Sequence, residues 1–204
     1  MVNADSTLSK LREEEREVRR NLIIDAAMRL FAGKTFDQVG MRDIAAEAGI
    51  SPASIYRYFA DRDELLLEAL LRETKAIEQG LRGISGENAN SSVEQFADNF
   101  VDYLLEHGPF FQMMTHFMIG GGIRESALER LNDSVRKILD VFDEMFKNIG
   151  AEGNVRLISH AFFASLNGIL ITFWNYPGRD AEETRKHIHR VAGIIAKIFK
   201  KAVT

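Results

Sequence analysis

Between Ser51 and Arg62 the chain reads SPASIYRYFADR, and its polar residues are an unusual set for a helix face that meets only water. At helical spacing Pro52, Ile55 and Phe59 share one side, while Ala53, Ser54 and Arg57 point the other way, flanked by Tyr56 and Tyr58. A solvated face usually carries lysine and glutamate. Here a small residue permits close approach, hydroxyls and phenols bond phosphate oxygens, and one arginine can fork onto a guanine edge. The chemistry implied is recognition of duplex DNA. The competing reading is an ordinary helical hairpin in an all-α protein.

Two helices must position that face. Residues 41–48 are good helix formers, and Gly49 stands where a helix end favours left-handed backbone angles. Ile50 follows as an apolar plug. Ser51 offers a capping hydroxyl, and Pro52 suits the first helical position because its missing N–H would be unbonded anyway. This second helix is expected to run to Phe59, packing Ile55 and Phe59 on Ile44, Ala45 and Ala48. Asp61 with Glu64 predicts a capping box for the next helix. The pattern is a helix-turn-helix.

These residues resemble the tetracycline-repressor (TetR) family of bacterial regulators. The resemblance rests on Ile44-Ala45, Ala48-Gly49-Ile50-Ser51, Ile55-Tyr56-Arg57-Tyr58-Phe59, and Arg62, Glu64 and Leu65. Ala26, Ala27, Leu30, Phe31, Gly33 and Phe36 of the preceding helix fit the same pattern. It covers roughly the first third of the chain. One departure is Val39-Gly40, where the family usually has Thr or Ser; Gly40 caps less well and brings no phosphate-contacting hydroxyl. The resemblance implies a symmetric dimer and a small-molecule inducer held in the later helices.

The 204 residues suffice for one good core or two small ones. With 46% hydrophobic and 27% charged residues the composition is that of a soluble globular protein. Absence of cysteine excludes disulfides and thiolate metal sites and fits a cytoplasmic location. The net charge of −4 runs against nucleic-acid binding, yet binding through one small surface is a local matter. Arg16, Arg19, Arg20, Arg42, Arg57 and Arg62 gather around the proposed reading head, diluted by Glu17, Asp25, Asp37, Asp43 and Glu47. No secretion signal is visible in residues 1–20. Residues 157–174 are the most lipid-like run, but Ser159, His160, Ser165 and Asn167 interrupt them, so a buried helix is expected and no membrane partner.

The expected organisation is all-α: a flexible lead-in at 1–13, a helix-turn-helix domain at 14–62, and a helical ligand-binding and dimerisation domain at 63–204. Residues 14–32 repeat apolar pairs every four residues, with Arg16, Arg19 and Arg20 near their start, either Glu-paired in solvent or touching phosphate. A long helix over 63–81 joins the reading head to the rest, and 83–90 is a glycine-rich break. Helices follow from Ser91 or Ser92, over 110–119 up to Gly120-Gly121-Gly122, and over 128–146. The last two, 154–174 and 181–201, are more apolar than one subunit readily covers, which predicts a homodimer through a four-helix interface.

Catalytic and metal motifs are sparse. His107, His116 and His160 stand alone in apolar stretches, His187 and His189 point in different directions, and nothing has a metal-ligand spacing. Neither enzyme chemistry nor a cofactor is expected. The expected DNA-contacting residues are Arg42, Ser51, Pro52, Ala53, Ser54, Tyr56, Arg57, Tyr58 and Arg62. A second set, Tyr103, Met113, Met114, Phe117, Phe142, Phe146, Phe162, Asn167 and Trp174, either packs as core or lines a pliable apolar cavity for a small effector. The function expected is a ligand-responsive regulator, a repressor on a palindromic operator; the alternative is a helical small-molecule-binding protein whose head goes unused.

Overall fold

The computed structural model describes residues 4–34, 38–87, 92–120 and 125–203, and all regular structure among them is helical, as the sequence predicts. The helices are α1 (Ala4–Phe31), α2 (Met41–Glu47), α3 (Pro52–Ile55), α4 (Arg62–Glu87), α5 (Val93–Glu106), α6 (Gly108–Gly120), α7 (Glu125–Asn148), α8 (Val155–Phe173) and α9 (Ala181–Val203). They group into two compact units, Met1–Arg72 with Pro109–Ala127, and Glu73–Gly108 with Leu128–Thr204. The division falls within α4 rather than at its start.

In the first unit α1 packs on α2 and α2 on α3. Ile23, Ala26, Ala27 and Phe31 of α1, Ile44 and Ala45 of α2, Ile55 and Phe59, and Leu65 and Leu66 of α4 are all buried. Ion pairs Arg29–Glu47 and Asp25–Arg72, both 2.7 Å, cross the helix contacts. The lead-in expected at 1–13 is instead helical from Ala4 onward. Its leucines, arginines and glutamates are strong helix formers, so a helix nucleated by the packed half continues outward. Phe36 and part of the triple glycine lie outside the described residues.

α4 passes through Gly83 to Glu87, where a break was expected. Leu81 is buried just before, and Arg82 bonds Glu78 and Glu144, whose carboxylates hold its guanidinium firmly charged. Such anchoring outweighs the roughly 1 kcal/mol penalty of a helical glycine.

In the second unit α9 lies against both α5 and α8. Glu94–Lys200 at one end and Asp102–Arg185 at the other set α5 and α9 antiparallel. Between them the two ring nitrogens of His189 face Asp98 at 3.0 Å and Asp102 at 2.9 Å. His187 meets the edge of Phe173 at 4.6 Å. The core centres on Phe142, whose ring stands edge-on to Phe96, Phe100, Phe162 and Phe163 at 4.8–6.1 Å. Phe146 and Phe199 extend the cluster through Phe162. Phe142→Ala removes four ring contacts at once and is expected to lower unfolding free energy by about 3–5 kcal/mol in urea titrations, without altering helix content in the folded baseline.

α8 is long and apolar enough to cross a membrane by length and composition, and only 33% of its most apolar window is buried. Burial of the whole helix was expected; the chain covers one side of it. Leu157 and Ile171 on α8, and Ile194 and Ile198 on α9, are each about half exposed or more. Ala161, Ala164 and Gly168 line the outer face of α8 between them.

Candidate nucleic-acid interface

The turn between α2 and α3 follows from local chemistry. Gly40 caps α2, its N–H bonded by Asp43 at 2.8 Å, although glycine brings no capping side chain. Gly49 has φ +69°, a left-handed angle that would strain any side chain. Ser51 Oγ accepts from Ser54 N at 3.1 Å and also meets Ser54 Oγ at 2.8 Å. Asp61 Oδ1 accepts from Glu64 N at 2.8 Å, while Glu64 reaches back to Ala60 N rather than to Asp61.

α3 itself ends at Ile55, four residues long, where a helix to Phe59 was expected. Residues 56–58 continue as a turn in which Arg57 N bonds Ser54 O and Tyr58 N bonds Ile55 O. Arg20 of α1 donates to the Tyr58 carbonyl at 2.6 Å, and its guanidinium stacks on the Phe59 ring at 4.4 Å. Arg19 is held charged by the Tyr58 phenol and then by Glu15, 2.6 Å away. α1 thus bolts down the end of the reading segment. Arg20→Ala is expected to cost about 1–2 kcal/mol of stability in thermal unfolding, since a buried-side hydrogen bond and a cation–π contact go together.

Ile55 and Phe59 are buried and Ala53 and Arg57 exposed, as helical spacing predicts, with Ser51 and Tyr56 exposed beside them; Pro52, expected on the inner side, is exposed because it opens the helix at its solvent end, and Ser54 and Tyr58 are half-buried. Arg42 is exposed as well. Arg62 is half-buried and donates to the Val39 carbonyl at 3.3 Å, tying down the approach to α2. Among the described residues Arg42 and Arg57 have no carboxylate partner, in contrast to Arg19, Arg29 and Arg72. A shallow groove of about 200 Å³ runs between Arg19, Leu22 and Ile23 of α1 and Ala48, Ile50, Ser54, Arg57 and Tyr58.

The second residue set is split between the units. Met113, Met114 and Phe117 lie on α6 in the first, and Met113 and Phe117 are buried there. Phe142, Phe146 and Phe162 of the second are the packed ring cluster. Tyr103 stacks on His107 at 3.9 Å, and burial, with Glu73 adding to it, pushes its phenol up to about 12. Trp174 lies over Gly108, where a Cβ would come within 3.2 Å of its ring. Asn167 donates to the Phe163 carbonyl at 2.8 Å, but among the described residues its buried Oδ1 finds no hydrogen-bond partner, and neither does Ser159 Oγ. Among the described residues no group of three His, Asp or Glu side chains is placed to hold a metal.

Residues 23–69 match the family model for bacterial regulatory proteins of the tetR family. An uncharacterized HTH-type transcriptional regulator of Haemophilus influenzae is 25% identical over 173 residues, 79% of this chain and 83% of that protein. Two solved structures share the fold. A protein assigned to the tetR family of transcriptional regulators from Mesorhizobium loti superimposes with a TM-score of 0.70 at 17% identity, covering 90% of this chain and 96% of that one. The regulator FadR from Bacillus subtilis, in complex with stearoyl-CoA, gives 0.68 at 14% identity, covering 90% and 98%.

Proposed function

We propose that the chain, whose residues 23–69 match the tetR-family model, is a transcriptional regulator of that family, acting as a homodimeric repressor released from a palindromic operator by a small apolar effector. The observation that carries this reading is the exposed face of 51–57, with Arg57 unpaired and the turn behind it fastened by Arg19 and Arg20. Each subunit places that face in a major groove, on half-sites about one helical turn, or a small multiple, apart. Arg57 reads a base edge, and Ala53 and Ser54 make the close approach. Tyr56, Tyr58 and Arg42 grip phosphates, with Arg62 at the margin.

The apolar stripe of Leu157, Ile171, Ile194 and Ile198 supports a dimer through α8 and α9. FadR, which shares the fold, holds an acyl-CoA, and this supports an effector with an apolar body. In the second unit Asn167 Oδ1 is a buried acceptor awaiting a donor, and Tyr103 is a phenol that stays protonated near neutral pH. These are the polar handles we assign to the effector, and Trp174 is the aromatic side chain we assign to it. Release of DNA requires the effector to prefer the conformation that binds DNA poorly.

The test is a gel shift with duplexes selected from a random pool by the full-length protein. A palindromic site, bound with steep salt dependence and released by the ligand that co-purifies and is identified by mass spectrometry, is the expected result. Binding that is weak, non-selective and indifferent to that ligand would reject the proposal.

A further inference from the structure

We propose that the outer half of α1 is an interface for the α1 of a second copy of this chain, the two helices lying parallel along a short coiled-coil seam. Its place in function, joining regulators at neighbouring DNA sites, rests on the DNA-binding reading above; the seam itself does not. Residues 7–19 are all exposed, so this stretch of α1 stands clear of the packed core. Leu8, Leu11, Val18 and Leu22 are each more than half exposed. Their steps of three, seven and four residues keep to the a and d positions of a heptad, with Glu15 at the a position between. By helical spacing the stripe lies on the far side of α1 from the buried Ile24, Ala27 and Phe31.

Charge selects the occupant. Twelve of the fifteen residues 8–22 are leucine, lysine, arginine or glutamate, well above the half that marks a coiled-coil strand at this period. Arg12 and Arg19 flank the seam at e positions and Glu14 at a g position. In a parallel pair Glu14 of one copy faces the other copy's Arg19, and two-fold symmetry makes that bond twice. Antiparallel pairing brings e against e, and so arginine to arginine. Glu15 is bonded to Arg19 at 2.6 Å and enters the seam as an ion pair; one charged a position fixes register at a cost in stability. The rival cover is an anionic lipid surface. Residues 8–22 carry five Lys and Arg against four Glu, and such interspersed signs suit ion-paired helices better than a membrane.

From Leu8 to Leu22 the stripe spans about two heptads, short of the three or four that sustain a coiled coil alone. The contact is therefore weak between free molecules. Two copies on neighbouring sites of one duplex meet at an effective concentration of about the millimolar range, where a weak seam suffices. Cooperative occupation of adjacent operators is the consequence.

The chain contains no cysteine, so one introduced at a time reports proximity. Full-length Leu11→Cys and Val18→Cys, both at d, are compared with Ser9→Cys, which is exposed and off the seam. Each is oxidised with diamide on a duplex carrying two selected operators, and again without DNA at high protein concentration. Parallel pairing brings d to d within disulfide reach, so both d variants should link about ten-fold faster than Ser9→Cys in either setting. Without DNA the Ile194→Asp/Ile198→Asp background should leave that ratio unchanged, which sets this contact apart from α8 and α9. Glu15→Leu should raise self-association in sedimentation, which no loss of folding can imitate. Leu8→Asp/Leu11→Asp should abolish cooperativity between the two operators and leave affinity for a single operator unchanged. Equal linking by all three cysteines on a duplex that is bound selectively would overturn the seam and spare the DNA reading. Faster linking at d without DNA, with no duplex selected, would spare the seam and sink the DNA reading. Equal linking, with flotation of the wild type on phosphatidylglycerol vesicles that Leu8→Asp/Leu11→Asp loses, would overturn the seam in favour of a lipid surface.

Discussion

Aspartate at both Ile194 and Ile198 is expected to leave a folded monomer that no longer holds its operator. The two side chains are 58% and 56% exposed in one subunit, so the substitutions cost that subunit little by themselves. In the proposed dimer the pair would bury two carboxylates per subunit against Leu157, Ile171 and the small residues of α8. An unpaired buried charge costs several kcal/mol, and symmetry doubles it. Two heads joined in one dimer gain from effective concentration, and separating them forfeits a factor of about 10²–10⁴ in affinity. Light scattering behind a sizing column reads the mass, and a gel shift reads the rest. A variant that remains dimeric and binds as before would place the subunit contact elsewhere.

Arg57→Ala is expected to lower affinity for the selected operator by roughly ten- to a hundred-fold, about 1–3 kcal/mol, while leaving non-specific binding nearly unchanged. Arg57 sits on the exposed side of the turn, flanked by Tyr56 and Tyr58, with no carboxylate to compete for its guanidinium among the described residues. Lysine at the same position keeps the charge and loses the fork, so Arg57→Lys should resemble alanine in base preference and the wild type in salt dependence. Arg42→Ala should do the reverse, weakening all sequences alike. Competition binding against duplexes with single base-pair changes separates the two behaviours.

What was legible in the chain was what neighbours in sequence decide. Gly49, Ser51 with Pro52, Ser92 and Asp180 each mark a boundary because the cap or turn is made within four residues. The sidedness of 51–59 follows from helical spacing alone. The early end of α3 was not legible, and neither was the bond that holds the Tyr58 carbonyl, because its donor, Arg20, comes from another helix. Nor was the continuation of α4 past Gly83, where packing and the Arg82–Glu144 pair override glycine's weak preference. Aromatic and methionine residues announce an apolar interior but not its shape: Phe142 became the hub of a packed cluster, and Met113 went to a different unit.

Whether the face of residues 51–57 enters a major groove is read directly by dimethyl sulfate protection, since the reagent reports guanine N7 in that groove. On the selected operator the wild type should protect guanines in two symmetric patches about one helical turn, or a small multiple, apart, and Arg57→Ala should expose them while the protein stays bound at low salt. Guanines left fully reactive under the bound wild type, or protected equally by the variant, would contradict the account.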